Sequence, residues 1–234
     1  MRSLINNPLL RAVVAAVTLG AMVFATHAAA NTITIYKNDL DTTDARAEIH
    51  QMAPRANCER GGSPKAFRFE LGAKARECFY RVPMAGKKLQ VTGIARIFKS
   101  TPRKVLKRVY AGVSLRQSND GSRYQFVVWP STRRYGLRKV QPNGQIINFG
   151  SRKAGNKVRG PGKANRITLR AFTGAKGNTQ LVGFVNGNKV VAARDEQGTS
   201  LVGQDTSFSI GAKQSARGAI GSFIDIRVAI PDPY

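Results

Sequence analysis

The chain has 234 residues, and its 38 lysines and arginines against 13 aspartates and glutamates give a net charge of +25. That length suits one all-β domain with a substantial core. The charge draws the protein toward anionic surfaces such as acidic polysaccharide, phosphate-rich wall polymer, nucleic acid or headgroups, while two histidines and two cysteines leave little material for metal or triad chemistry.

Arg2 and Arg11 precede an apolar run, Ala12 to Ala25, that closes on Ala28-Ala29-Ala30. A positive start, a short apolar middle and a small-residue site read as a secretory signal peptide, residues 1–30, cut before Asn31. The run is shorter than the roughly 18 apolar residues of a spanning helix, and no later stretch supplies one. The expected product is a secreted single β-sandwich domain, residues 31–234. Losing the two leader arginines takes its net charge from +25 to +23. Cys58 and Cys78, an even count in an oxidising compartment, read as one disulfide. The loop they close would be worth about 3 kcal/mol.

Thr32–Tyr36 alternates as an opening edge strand. Asp39, Asp41, Asp44 and Glu48 then form the acidic segment of a basic protein. They offer oxygen ligands for calcium without EF-hand spacing, and read first as an acidic patch pairing with the basic body. Arg55–Lys65 reads as loop, Ala66–Leu71 as a strand, and Glu77–Val82 as its antiparallel neighbour. Lys88–Phe98 is a long strand with Leu89, Val91, Gly93 and Ala95 on one face. Val105–Arg116 follows, its odd positions inward and Arg108, Tyr110, Ser114 and Arg116 outward. Asn119-Asp120-Gly121 turns into Tyr124–Trp129. Arg133–Val140 pairs next, and Pro142-Asn143-Gly144 turns into Ile146–Phe149. Hairpins with turn signals every 8–14 residues point to a sandwich.

Ser151–Ala164 is rich in glycine and basic residues, and is expected as an exposed loop. In Asn165–Asp195, Ile167, Leu169 and Ala171 alternate with Arg166, Thr168 and Arg170, the period of a half-buried strand. Gly174–Asn178 breaks the chain. Leu181, Gly183 and Val185 alternate again, and Asn186-Gly187 supplies the two left-handed positions of a type I′ turn before Lys189–Ala193 runs back. Ser207–Gly211 and Phe223–Ile230 are the closing strands.

The Tyr124-Gln125-Phe126 strand, the Arg134–Arg138 strand, NRITLRA, the Val185-Asn186-Gly187 hairpin, FSIG and the terminal FIDIRV resemble the concanavalin A-like lectin/glucanase superfamily. The match is to the laminin-G-like jelly-roll modules of secreted bacterial proteins in particular. It covers Val105–Val228, over half the chain. The resemblance implies an all-β, two-sheet antiparallel jelly-roll sandwich with glycans bound on its concave face. These motifs are structural, so they carry fold further than function.

A glucanase of that superfamily carries Glu-x-Asp-x-Glu on one strand face, and this sequence lacks it. Glu70 and Glu77 lie on different strands, and Asp195-Glu196 is expected in a turn. Glycoside hydrolysis needs two facing carboxyls, so no catalytic residues are expected. His50, the one histidine of the exported part, cannot supply a zinc site alone, and no cofactor is expected. The candidate ligand-binding residues are Arg108, Tyr110, Arg116, Trp129, Arg134, Tyr135 and Arg138. Guanidinium forks suit carboxylate, sulfate or phosphate, and aromatic rings stack on sugars or bases.

The leading reading is a secreted, non-catalytic binding module for carbohydrate or an anionic wall polymer, with nucleic acid only as a non-specific partner. The alternative is a secreted structural or adhesin-like protein whose charge sets its partner surface. A sugar hydrolase of the same superfamily ranks third.

Overall fold

The computed structural model describes residues 32–38, 58–63, 66–73, 75–196, 200–214 and 216–231. The leader, the acidic segment with Asp39, Asp41 and Asp44, and His50 lie outside them. The strands are β1 (Thr32–Asn38), β2 (Cys58–Ser63), β3 (Ala66–Leu71), β4 (Glu77–Val82), β5 (Lys88–Ile97), β6 (Val109–Gln117) and β7 (Arg123–Trp129). They continue with β8 (Arg134–Val140), β9 (Ile146–Lys153), β10 (Asn165–Thr173), β11 (Thr179–Val185), β12 (Asn188–Asp195), β13 (Asp205–Ala212) and β14 (Ile220–Pro231). A short helix, α1 (Arg103–Leu106), precedes β6.

Two antiparallel sheets face each other. One runs β12-β11-β10-β5-β14-β3-β2, with β1 on the remaining stretch of β14, and the other runs β4-β13-β6-β7-β8-β9. Strict alternation builds the first sheet: every second residue of β5 from Leu89 to Ile97 is buried. Asn186 and Gly187 both take positive φ, 50° and 83°, which turns β11 tightly into β12. Between the sheets Phe208 stacks on Tyr80 at 5.3 Å and meets Phe223 edge-on at 5.6 Å. Each such pair adds about 0.5–1.5 kcal/mol to plain area burial.

Several local expectations are corrected. β3 and β4 are not partners: β3 pairs with β2 and β14, whereas β4 pairs with β13 in the other sheet. Cys58 lies on strand β2 rather than in a loop. Its disulfide to Cys78 therefore ties one sheet to the other. The strand expected from Val105 begins only at Val109, because α1 occupies Arg103–Leu106. The Ser151–Ala164 loop is partly strand, since β9 runs to Lys153. Its remainder is clamped by Asn165, whose side-chain amide accepts from Arg159 N (2.8 Å) and donates to Arg159 O (2.9 Å). Asp195 is no turn residue. It ends β12 buried between the sheets, accepting from Lys139 Nζ at 2.8 Å and from the Tyr124 hydroxyl at 2.6 Å. Burial, then the hydrogen bond to Asp195, pushes the Tyr124 phenol up to about 12.

Candidate functional site: a groove on the six-stranded sheet

The outer face of the six-stranded sheet is hollowed into a groove of about 790 Å³. Its floor follows from small residues set beside large ones. Gly211 on β13 pairs with Tyr110 on β6, and a Cβ at Gly211 would stand 2.5 Å from the Tyr110 ring. Gly136 on β8 does the same for Trp129, where a Cβ would come within 3.0 Å of the indole. Without side chains at these points, both rings pack directly over the glycines. They meet edge to face at 5.7 Å.

Cations sit on these rings. The Arg138 guanidinium lies 4.8 Å from the Tyr110 centroid, and Lys213 Nζ lies 5.7 Å from that of Trp129. Attraction to a ring face of this kind is worth about 0.5–2 kcal/mol, most when desolvated. Arg138 is held from the side as well: its Nε and Nη2 donate to Gln125 Oε1 at 2.8 and 2.6 Å. The Gln125 amide nitrogen donates in turn to Glu77 Oε1 (2.5 Å) and Ser209 Oγ (3.2 Å). Arg123 completes the chain with an ion pair to the other Glu77 oxygen.

Burial works to raise the Glu77 carboxyl. The charges of Arg123 and Arg138, with hydrogen bonds from Ser209 and Gln125, outweigh that and hold it below the ordinary carboxylate value. Burial, with the Glu77 charge behind it, pushes the Tyr110 phenol well above its ordinary value. Glu77 is thus held as an anion and Tyr110 as a neutral phenol, in a groove also lined by Arg76 and Asp120.

Of the residues singled out in the sequence, the structure brings Tyr110, Trp129 and Arg138 together here. The others go elsewhere. Arg108 stands at the surface, donating to Gln214 Oε1 at 2.8 Å. Arg134 starts β8 opposite Trp129 but does not line the groove. Tyr135 faces the core and packs on Phe126 at 6.1 Å. Arg116 does not share a face with Tyr110. It sits at φ 56° beside a register shift between β13 and β6, and its guanidinium turns to Thr179 Oγ1 (2.8 Å) and Lys87 O (2.9 Å). A bulge of this kind breaks the two-residue period that placed Arg116 outward.

Glu77, Arg123, Gln125 and Lys213 were not singled out as binding residues. Gln125 did carry a signal, because an amide in the middle of an apolar strand must find partners on one face. Among the described residues no cluster of three or more metal-binding side chains occurs.

No family model matches the sequence, and no curated protein matches it significantly. Solved structures do match the fold. A Bacillus subtilis protein of unknown function with a galectin-like fold superposes with TM-score 0.59 at 11% identity, over 85% of this chain and 97% of that one. The carbohydrate-binding module CBM66 of Bacillus subtilis gives 0.51 at 11%, over 75% and 94%. The alginate lyase Aly36B gives 0.51 at 12%, over 84% and 95%. The chain has the jelly-roll sandwich fold of the concanavalin A-like lectins and glucanases.

Proposed function

We propose that this chain is an exported, non-catalytic carbohydrate-binding module whose groove takes an acidic polysaccharide. The observation that carries the reading is Arg138 over the Tyr110 ring in a groove floored by two aromatic rings packed against glycines. Aromatic surface suits the C–H faces of a pyranose, and the guanidinium and Lys213 suit its carboxylate or sulfate. The solved structures of like fold include a carbohydrate-binding module, which supports a glycan partner, and an alginate lyase, which is an enzyme. Binding without turnover is supported by the two ionisable groups on the floor. Glu77 is tied by two arginines and held ionised, so it is a poor proton donor, while Tyr110 keeps its proton and is a poor base at neutral pH. The reading requires no cofactor.

The test is calorimetric titration with polygalacturonate. Arg138→Met should weaken binding at least tenfold, the equivalent of one lost charge-assisted contact of about 1.4 kcal/mol. Lys157→Ala with Lys163→Ala, on the loop before β10, should weaken it only slightly. Binding by the native protein should persist at about 0.5 M salt, where exposed charges are screened within a few ångströms. Equal losses in the two variants, with binding abolished by salt, would show a partner that senses net charge alone, as the adhesin-like alternative requires.

A further inference from the structure

The basic stretch before β10 and the Val185-Asn186-Gly187 hairpin meet on the eight-stranded sheet, and two asparagines join them. Asn186 Nδ2 donates to Asn165 Oδ1 (3.1 Å) and to Lys157 O (2.8 Å). Asn165 grips Arg159 by its backbone, accepting from its N–H and donating to its O. Asn186 grips Arg166 in the same way: its Oδ1 accepts from Arg166 N at 2.9 Å, and its own N–H donates to Arg166 O at 2.8 Å. The stretch between the two arginines is pinned to β5 by Gly162 N, which donates to Ile97 O at 2.7 Å. One hub therefore fixes the backbones of Arg159 and Arg166. Both residues line a pocket of about 300 Å³, together with Ile94, Ala164, Asn186 and Gly187.

Both arginines are exposed, so a guest in the pocket can reach them. No carboxylate lines it, and among the described residues neither guanidinium forms an ion pair. Arg159 Nη1 has a single long hydrogen bond, 3.4 Å, to Ala164 O. Two cations brought to one pocket repel each other until an anion enters. One guanidinium fork satisfies a carboxylate, whereas a phosphate monoester carries nearly two charges and three acceptor oxygens. We propose that this pocket is a second binding site, which takes the phosphate of a phosphomonoester between the two arginines. Its size suits one small ligand rather than a polymer. The site does not depend on the groove: Arg166 on β10 pairs with Ile94 on β5 in the eight-stranded sheet, and the groove lies on the other sheet.

The experiment is calorimetric titration with glucose 6-phosphate and, in parallel, with glucuronate, at about 0.15 M salt. The phosphate should bind at least ten times more tightly than the carboxylate, and inorganic phosphate should displace it. Arg159→Gln and Arg166→Gln should each weaken binding about tenfold. Lys163→Ala, which removes a neighbouring charge outside the pocket lining, should weaken it far less. Arg138→Met, in the groove, should leave it unchanged, so that this site and the polysaccharide groove fail separately. Equal affinity for the two sugars, no binding of either, no displacement by inorganic phosphate, native binding by either arginine variant, or an equal loss in Lys163→Ala would each overturn the proposal. Loss of binding in Arg138→Met would move the phosphate to the groove and overturn it as well.

Discussion

Gly211→Ala tests whether the groove floor is set by the missing side chain. The added methyl would lie 2.5 Å from Cζ and Oη of Tyr110 and 2.9 Å from its Cε2. Comfortable carbon contacts begin near 3.5 Å, so the ring must retreat by about 1 Å. Arg138 lies above it and Trp129 stands at its edge, which leaves the ring no free direction. Overpacking of this kind costs about 1–3 kcal/mol. At about 2–4 °C per kcal/mol for a domain of this size, the melting temperature should fall by about 2–12 °C. Trp129 is the one tryptophan in the chain, so its emission reports the floor directly and should shift in the variant. Gly136→Ala is the internal comparison. Its methyl would meet the indole at 3.0 and 3.1 Å, a gap that a small tilt relieves, so its loss should be about 1 kcal/mol or less. Circular dichroism melts and emission spectra of both variants suffice. Native behaviour in Gly211→Ala, or a larger loss in Gly136→Ala, would refute the packing argument.

Replacing Cys58 and Cys78 by serine should cost about 3 kcal/mol and about 6–12 °C in melting temperature, and native melting of that pair would show the staple to be idle. For Glu77, whose folded pKa lies below its unfolded value, linkage fixes the sign. Its ionised form stabilises the fold above the unfolded pKa, and that contribution is lost as pH falls through the folded value. Urea midpoints should therefore drop on acidification below about pH 4, and the drop should be shallower in Glu77→Gln; parallel pH profiles would contradict it.

The β10–β12 meander was legible because its determinants are local: alternation along each strand and an Asn-Gly turn in the required conformation. The partners of β3 and β4 were not. In this topology β14, at the end of the chain, inserts between β5 and β3, and alternation says nothing of which distant strand a given one meets. Arg116 was misplaced for a subtler reason. Parity along Val109–Leu115 is regular, and Tyr110 falls where it predicts. The register shift opposite Asp205 and Ser207 then resets the phase within one residue, and no hydrophobic pattern marks it. Trp129 and Arg138 were recognisable as groove material because a strand with large residues on both faces needs a use for the outer one. Glu77 was not, because only the folding of β4 beside β13 brings it over a neighbour of β7.

The manner in which the two central arginines are held separates their roles. Arg123 meets the Glu77 carboxylate, so its charge is largely cancelled where it stands. Arg138 instead donates from Nε and Nη2 to the neutral oxygen of Gln125, which fixes the guanidinium plane and leaves the direct ion pair with Glu77 to Arg123. A neutral acceptor orients a cation and leaves its field available. The many lysines and arginines on the surface differ, since their fields decay over about 8 Å at physiological ionic strength. They speed encounter with any polyanion, whereas discrimination among polyanions falls to the cation that is buried, oriented and still charged. Arg138 meets all three conditions, and it rests on the ring for which Gly211 leaves room.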